Sequence, residues 1–362
     1  MDTNLLLYPT GRRLLALAGF IFLGALAHAQ RPVAAPAQRA AAPSTQRASP
    51  KARAVSASSA DGPRKLTVAR DGTGDYRTVQ AALDAIPLHN SSKVIIYIKK
   101  GLYREKLRLD STKNQVTLLG EDRFNTILTY DDHPGMVSPK GDSINTRNSY
   151  SFQINGNDFA ARDITFRNDA GFTAGQAVAL EVRGDRAVFT GCRIIGNQDI
   201  LFLNSAASRQ YYRDCYIEGT TDFIFGPATA WFDNCHIHSK KNSHVTAAST
   251  PQDHPFGFVF NNCILTGDSS IHSASLGRPW RPYASVIYLH CYIDRHIRPD
   301  GWSTWNNTDS YKFTRFSEYN DYGPGADTSA RLPWSRQLTD AEAQRITLSN
   351  IFGDWSPEII CN

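Results

Sequence analysis

The sequence predicts an all-β fold, a single-stranded right-handed parallel β-helix with short capping helices. Three observations carry that expectation: a recurring cysteine phrase, strand-like alternation around each copy of it, and turn residues between copies. Five of the six cysteines open similar phrases, Cys192-Arg-Ile, Cys215-Tyr-Ile, Cys235-His-Ile, Cys263-Ile-Leu and Cys291-Tyr-Ile, at steps of 23, 20, 28 and 28 residues. Repeats of this length built from short apolar stretches indicate a solenoid, whose coils bury against one another what no single coil could bury alone. Upstream, Ile164-Thr165-Phe166 fills the same slot. Positions i and i+2 of a strand share a face, so each Cys and the Ile or Leu two places later should point inward together. The Leu and Asn spacing of leucine-rich repeats is missing, and the phrases alternate like strands rather than following a helical period.

The remaining elements follow in chain order. Arg12 and Arg13 precede an apolar run from Leu14 to Ala27, and Ala27-His28-Ala29 has the small-x-small pattern of a cleavage site. Residues 1–29 are therefore expected to be a signal peptide and the protein to be secreted, to the periplasm or outside the cell. The run is short for a bilayer and no second one follows, so membrane insertion is not expected. Residues 30–63 are rich in Ala, Pro and Ser and lack aromatic residues. Such a segment cannot offset its ordering entropy by burial and reads as a disordered tether, leaving 64–362 as the β-helix domain. Leader and tether together account for the whole formal net charge of +5, so the folded domain is near neutral and no nucleic-acid surface is implied.

Tyr76 to Ile86, ended by Pro87, reads as an amphipathic helix able to cover the open first rung. Thr339-Asp-Ala-Glu342 is a capping-box pattern that opens a second short helix. The cysteines sit mid-strand in apolar phrases, which argues against thiol catalysis. An inward ladder of unbonded thiols is favoured, with one disulfide between adjacent rungs as the alternative, since neighbouring strands lie about 4.8 Å apart.

The repeat also brings two carboxylates together. Asp199 lies seven residues after Cys192, and Asp222 lies seven residues after Cys215. If the cysteines stack, the aspartates stack one rung apart, their carboxyls roughly 5 Å from each other. Close carboxylates titrate as a coupled pair, one ionised and one holding a proton, which supplies a nucleophile or base and a proton donor within one site. The plain alternative is a pair of coil-corner aspartates. The neighbours weigh against it: Gln198 precedes Asp199, Gln176 lies in an apolar Gln-Ala-Val-Ala-Leu phrase, and Leu276-Gly-Arg-Pro-Trp280 supplies a cation and an aromatic plane.

Gly175-Gln-Ala-Val-Ala-Leu180, Gly184-Asp-Arg-Ala-Val-Phe189, Asn197-Gln-Asp199, Asp222-Phe-Ile-Phe-Gly226 and Leu276-Gly-Arg-Pro-Trp280 resemble the signature set of pectin methylesterases, in that family's order. The resemblance runs from about Lys65 to Trp355 and is to bacterial and plant members of this carbohydrate esterase family. It implies a pectin-lyase-like solenoid that hydrolyses galacturonosyl methyl esters of pectin and releases methanol. By the resemblance, Asp222 is the nucleophile, Asp199 the acid and then the base, Gln176 and Gln198 the oxyanion donors, and Arg278 the partner of Asp222. Trp280, and Trp302 or Trp305, would stack on sugar rings, with Phe202 and Phe225 as lesser walls. Ile200 and Pro227 depart from the family's usual Thr and Asn. Pectin is the expected partner, and a monomer the expected state.

Three competing readings are weighed by what is present. Polygalacturonase phrases are not found, and two aspartates are too few for the calcium cage of a pectate lyase. A purely binding solenoid does not need all five presumed catalytic residues. No cofactor or metal is expected: His236 and His238 share a strand face but lack further ligands.

Overall fold

A computed structural model describes residues 63–306 and 308–358. The proposed leader, the tether except Pro63, and Cys361 lie outside the described residues. The described chain winds into three parallel sheets of eleven, seven and eight strands, each coil contributing a strand to each sheet in turn. The cysteine phrases set the register of the eight-stranded sheet. Arg193 pairs with Tyr216, Tyr216 with His236, His236 with Ile264 and Ile264 with Tyr292, so the five preceding cysteines fall in one column. Thr165 pairs with Arg193, which puts Ile164 in the cysteine slot one coil earlier.

All five described thiols are buried and free. Four reach back to carbonyls of the preceding coil, with Cys215 donating to Phe189 at 3.5 Å, Cys235 to Tyr212 at 3.5 Å, Cys263 to Phe232 at 3.4 Å and Cys291 to Phe260 at 3.5 Å. Burial pushes the Cys192, Cys215, Cys235 and Cys263 thiols well above their ordinary range, so these are packing groups and not nucleophiles. Beside them runs an interior stack of Phe189, Tyr212, Phe232, Phe260 and Tyr288, with successive ring centroids 4.8, 4.7, 4.6 and 4.6 Å apart. The ring spacing is the strand spacing, because each ring rises from the same position of successive rungs.

Helix α1 (Val79–Asp84) is shorter than the Tyr76–Ile86 span expected; the Thr78 hydroxyl accepts the Ala81 N–H at its start. It packs on the first strands of two sheets, Arg64–Val68 and Leu107–Leu109, and buries Val79, Ala82 and Leu83. Helix α2 (Asp340–Ala343) opens with the expected Thr339–Glu342 capping box. A third helix, α3 (Leu348–Phe352), follows. These two differ from α1 in placement. Phe352, with Leu338, Ile346, Ile351 and Trp355, covers the outward residues Val188, Tyr211, Trp231, Val259 and Ile287 of the eleven-stranded sheet, so α3 and the residues on either side of α2 line a flank and not an end. The outward apolar row needs that cover, as an exposed face of this size would be an aggregation hazard. Among the described residues no helix is long and apolar enough to cross a membrane.

Candidate active site

The site forms where consecutive coils turn from the eight-stranded into the seven-stranded sheet. Leu201 pairs with Ile224 and Phe202 with Phe225, the same offset that pairs Arg193 with Tyr216. Asp199 and Asp222 therefore occupy equivalent corners of adjacent coils. The Asp199 N–H donates to the Thr221 carbonyl at 3.1 Å, and the Asp222 N–H to the His244 carbonyl at 2.7 Å. Both aspartates take the left-handed conformation, at φ 58° and 50°, as do Asp163, Asp214 and Asn234 at other corners. Asp and Asn tolerate that conformation better than most residues, so turn chemistry alone accounts for an aspartate at a corner. What sets this pair apart is that both face one cleft of about 500 Å³, together with Gln176, Gln198 and Arg278. Gln176 and Gln198 form a parallel bridge on successive coils.

Arg278 comes from two rungs further along. Its N–H donates to the Thr246 carbonyl at 2.9 Å. Gly277 beside it allows the close approach: a Cβ there would meet the Thr246 hydroxyl at 2.0 Å. The guanidinium grips Asp222 with two bonds, Nε to Oδ1 at 3.0 Å and Nη2 to Oδ2 at 2.6 Å, the forked geometry only Arg offers. Its face lies 4.1 Å from the Trp305 ring centroid.

The two carboxyls are pushed apart in acidity. Burial first, and then the Asp222 charge, raise Asp199 well above the usual carboxylate range, while Arg278 and a Gln198 hydrogen bond pull more weakly the other way. Burial raises Asp222 as well, but the Arg278 hydrogen bonds and charge oppose it directly. Ionisation is therefore disfavoured more at Asp199 than at Asp222. One oxygen of Asp199, Oδ1, is shielded and without a hydrogen-bond partner among the described residues. His244, under Asp222, is held neutral at about 3 by burial and then by Arg278 and Arg298, so it does not compete for the carboxylate.

Phe202 and Phe225 stack at 4.3 Å and 11°, with Trp280 tilted over both at 6.4 and 6.0 Å, and all three line the cleft. Trp305 lines it too, one face occupied by Arg278. Trp302 does not: it is fully buried. Its ring packs on Phe316 at 4.5 Å and its indole N–H donates to Glu318 at 3.0 Å. A ring with no free face cannot stack on a sugar, so the expectation for Trp302 is corrected to a core role. Ile200 also points into the core, which explains why an aliphatic residue is accepted beside Asp199. The sequence reading missed Asn145, Thr146, Arg147 and Ala247, which complete the lining. Ala247 was accessible from register, as the partner of Phe225; the Asn145–Arg147 turn lies in an insertion with no repeat to place it. Among the described residues no cluster of three or more His, Cys, Asp or Glu is arranged to hold a metal.

Comparison with known proteins agrees in extent. A family model described as Pectinesterase matches residues 65–354. Pectinesterase 31 of Arabidopsis thaliana is 40% identical over 285 residues, covering 77% of this chain and 89% of that protein. The solved pectin methylesterase from carrot superposes with a TM-score of 0.74 at 35% identity, covering 81% of this chain and 94% of the other. A pectin methylesterase solved in complex with a hexasaccharide gives 0.73 at 30% identity, covering 82% and 99%.

Proposed function

The chain belongs to the pectinesterase family, and from that premise we propose that it removes methyl groups from pectin through a covalent intermediate on Asp222. Its reaction class, pectin methyl ester hydrolysis, is that of its relatives. The observation that carries the finer reading is the pairing of Asp199 and Asp222 on adjacent corners with Arg278 forked onto Asp222 alone.

Asp222, ionised and aimed by Arg278, attacks the carbonyl carbon of a galacturonosyl methyl ester. The carbonyl oxygen takes up the negative charge and accepts amide N–H bonds from Gln176 and Gln198; fixed donors of this kind supply a few kcal/mol of transition-state stabilisation. The tetrahedral species collapses by breaking the bond to the methoxy oxygen, which takes the Asp199 proton and leaves as methanol. The acyl group is now an anhydride with Asp222. Asp199, now ionised, takes a proton from water as that water attacks the acyl carbon. Cleavage of the acyl bond frees the galacturonic acid, which gives its remaining proton to solvent, and restores Asp222 as the anion, with the proton taken from water now on Asp199. The sugar backbone rests against Trp280 and the Phe202–Phe225 pair, which offer flat apolar surface to its rings. The apolar N-terminal run and its small-x-small site support a secreted protein, where the polymer would be met.

The test is product analysis on highly methylated pectin. Methanol release with no new reducing ends and no unsaturated sugars is expected; either of the latter as the main product would overturn the reading in favour of chain cleavage.

A further inference from the structure

Two guanidinium groups line the cleft, those of Arg147 and Arg278. Arg278 is committed, forked onto Asp222 and backed by Trp305. Arg147 is not. Its backbone N–H is held by the Asn145 side-chain oxygen at 2.9 Å, but its exposed side chain has no ion pair, hydrogen bond or ring contact among the described residues. The turn that carries it is nonetheless firmly built. Asn148 accepts the Asn145 N–H at 2.6 Å and donates to the Ser143 carbonyl at 3.0 Å. Lys106, ion-paired with Asp132, donates to the Asn148 carbonyl. From the core, Asn168 donates to the Ser149 carbonyl at 3.2 Å. A cation without a partner among the described residues is thus presented by a braced turn at the wall of the catalytic cleft.

We propose that Arg147 pairs with the free carboxylate of an already de-esterified galacturonate beside the unit undergoing hydrolysis, and so sets which stretches of pectin are preferred. The inference rests on the esterase reading above. Every unit of the polymer bears either a neutral methyl ester or a carboxylate at the same atom, so charge at that atom is what distinguishes a treated unit from an untreated one. The unit over Asp222 must be the ester, because a second carboxylate against that anion would be repelled. The counter-ion of Arg147 is therefore a neighbour's carboxylate, which a planar guanidinium can accept on two prongs and a methyl ester cannot match. A pure solvation role for Arg147 would predict indifference to that chemical difference.

The experiment compares kcat/KM for methanol release from fully methylated and half de-esterified pectin in wild type, Arg147→Gln and Arg147→Lys, at low and high salt. In parallel, binding of a fully de-esterified oligogalacturonate is followed by tryptophan fluorescence. Arg147→Gln is expected to lower the preference for the half de-esterified polymer by about fivefold, mainly through KM, as for a partly exposed ion pair. Oligogalacturonate binding should weaken to a similar degree, Arg147→Lys should recover part, and high salt should erase the differences between variants. Equal losses on both polymers, an unchanged preference, or unchanged oligogalacturonate affinity would each overturn the assignment. If the wild type released no methanol while Arg147→Gln still weakened oligogalacturonate binding, the esterase reading would fall and the carboxylate site would stand.

Discussion

Two rows of side chains climb the same coils, and they are built to different rules. The interior ladder from Phe189 to Tyr288 repeats one kind of side chain over five rungs. The outward row of the seven-stranded sheet changes at nearly every step: Arg108, Gln153, Glu181, Phe202, Phe225, Ala247. Inside, each rung is buried only by its neighbours, so one unlike member leaves a void or a clash on both sides. Outside, backbone pairing already holds the rungs, and side chains are free to specialise. A solenoid can therefore place chemistry on one pair of coils without disturbing the rest.

Substitutions that separate the two ladders test this division. The largest effect is expected from Asp222→Asn, which should lower methanol release by a factor on the order of 10⁴ to 10⁶, as when a covalent nucleophile is removed. Its thermal unfolding should stay near that of wild type, because the lost charge was costly to bury; retained turnover would reduce Asp222 to a corner residue. Phe232→Ala should do the converse. Removing a fully buried ring whose neighbours Tyr212 and Phe260 lie 4.7 and 4.6 Å away should cost about 3–5 kcal/mol in denaturant unfolding. The specific activity of the folded fraction should persist, and its loss would show that the ladders are mechanically coupled. The smallest and most diagnostic effect is a pH shift in Arg278→Ala. Arg278 lowers the pKa of both carboxyls against the raising effect of burial. Without it, Asp222 stays protonated to higher pH, moving the acidic limb of turnover upward. Asp199 keeps its proton to higher pH as well, so the alkaline limb should move the same way. Arg278→Lys should restore part of the shift, since a point charge lacks the fork. Limbs that do not move would assign Arg278 to packing alone.

The same division governs what the sequence disclosed. Cys192 and Cys215 anchor a register, and a seven-residue count from each lands on Asp199 and Asp222. Gln176, Gln198, Arg278, Trp280, Phe202 and Phe225 were also legible, through phrases tied to the same coils. Trp302 was misread because it and Trp305 lie three residues apart in a loop after the last phrase, where no period decides which ring turns inward. The Asn145–Arg147 turn was invisible for a related reason: it belongs to the long connection between strands Thr126–Tyr130 and Phe152–Ile154, which follows no repeat. The flank position of α3 and of the residues on either side of α2 was hidden too, since a capping box announces where a helix starts but not which surface receives it.

The free thiols give the molecule a built-in clock. Each of five successive rungs carries one buried sulfur, and a reagent can reach it only when that rung opens. Two of these rungs also bear the aspartates, seven residues along the same turn of chain. Alkylation of Cys192 or Cys215 therefore timestamps the opening of the very coils that hold Asp199 and Asp222. Cys291, three coils beyond Cys215, keeps time for the far end of the same column. The order in which the sulfurs become reactive thus separates a coil that unwinds from its ends from one that lets go everywhere at once.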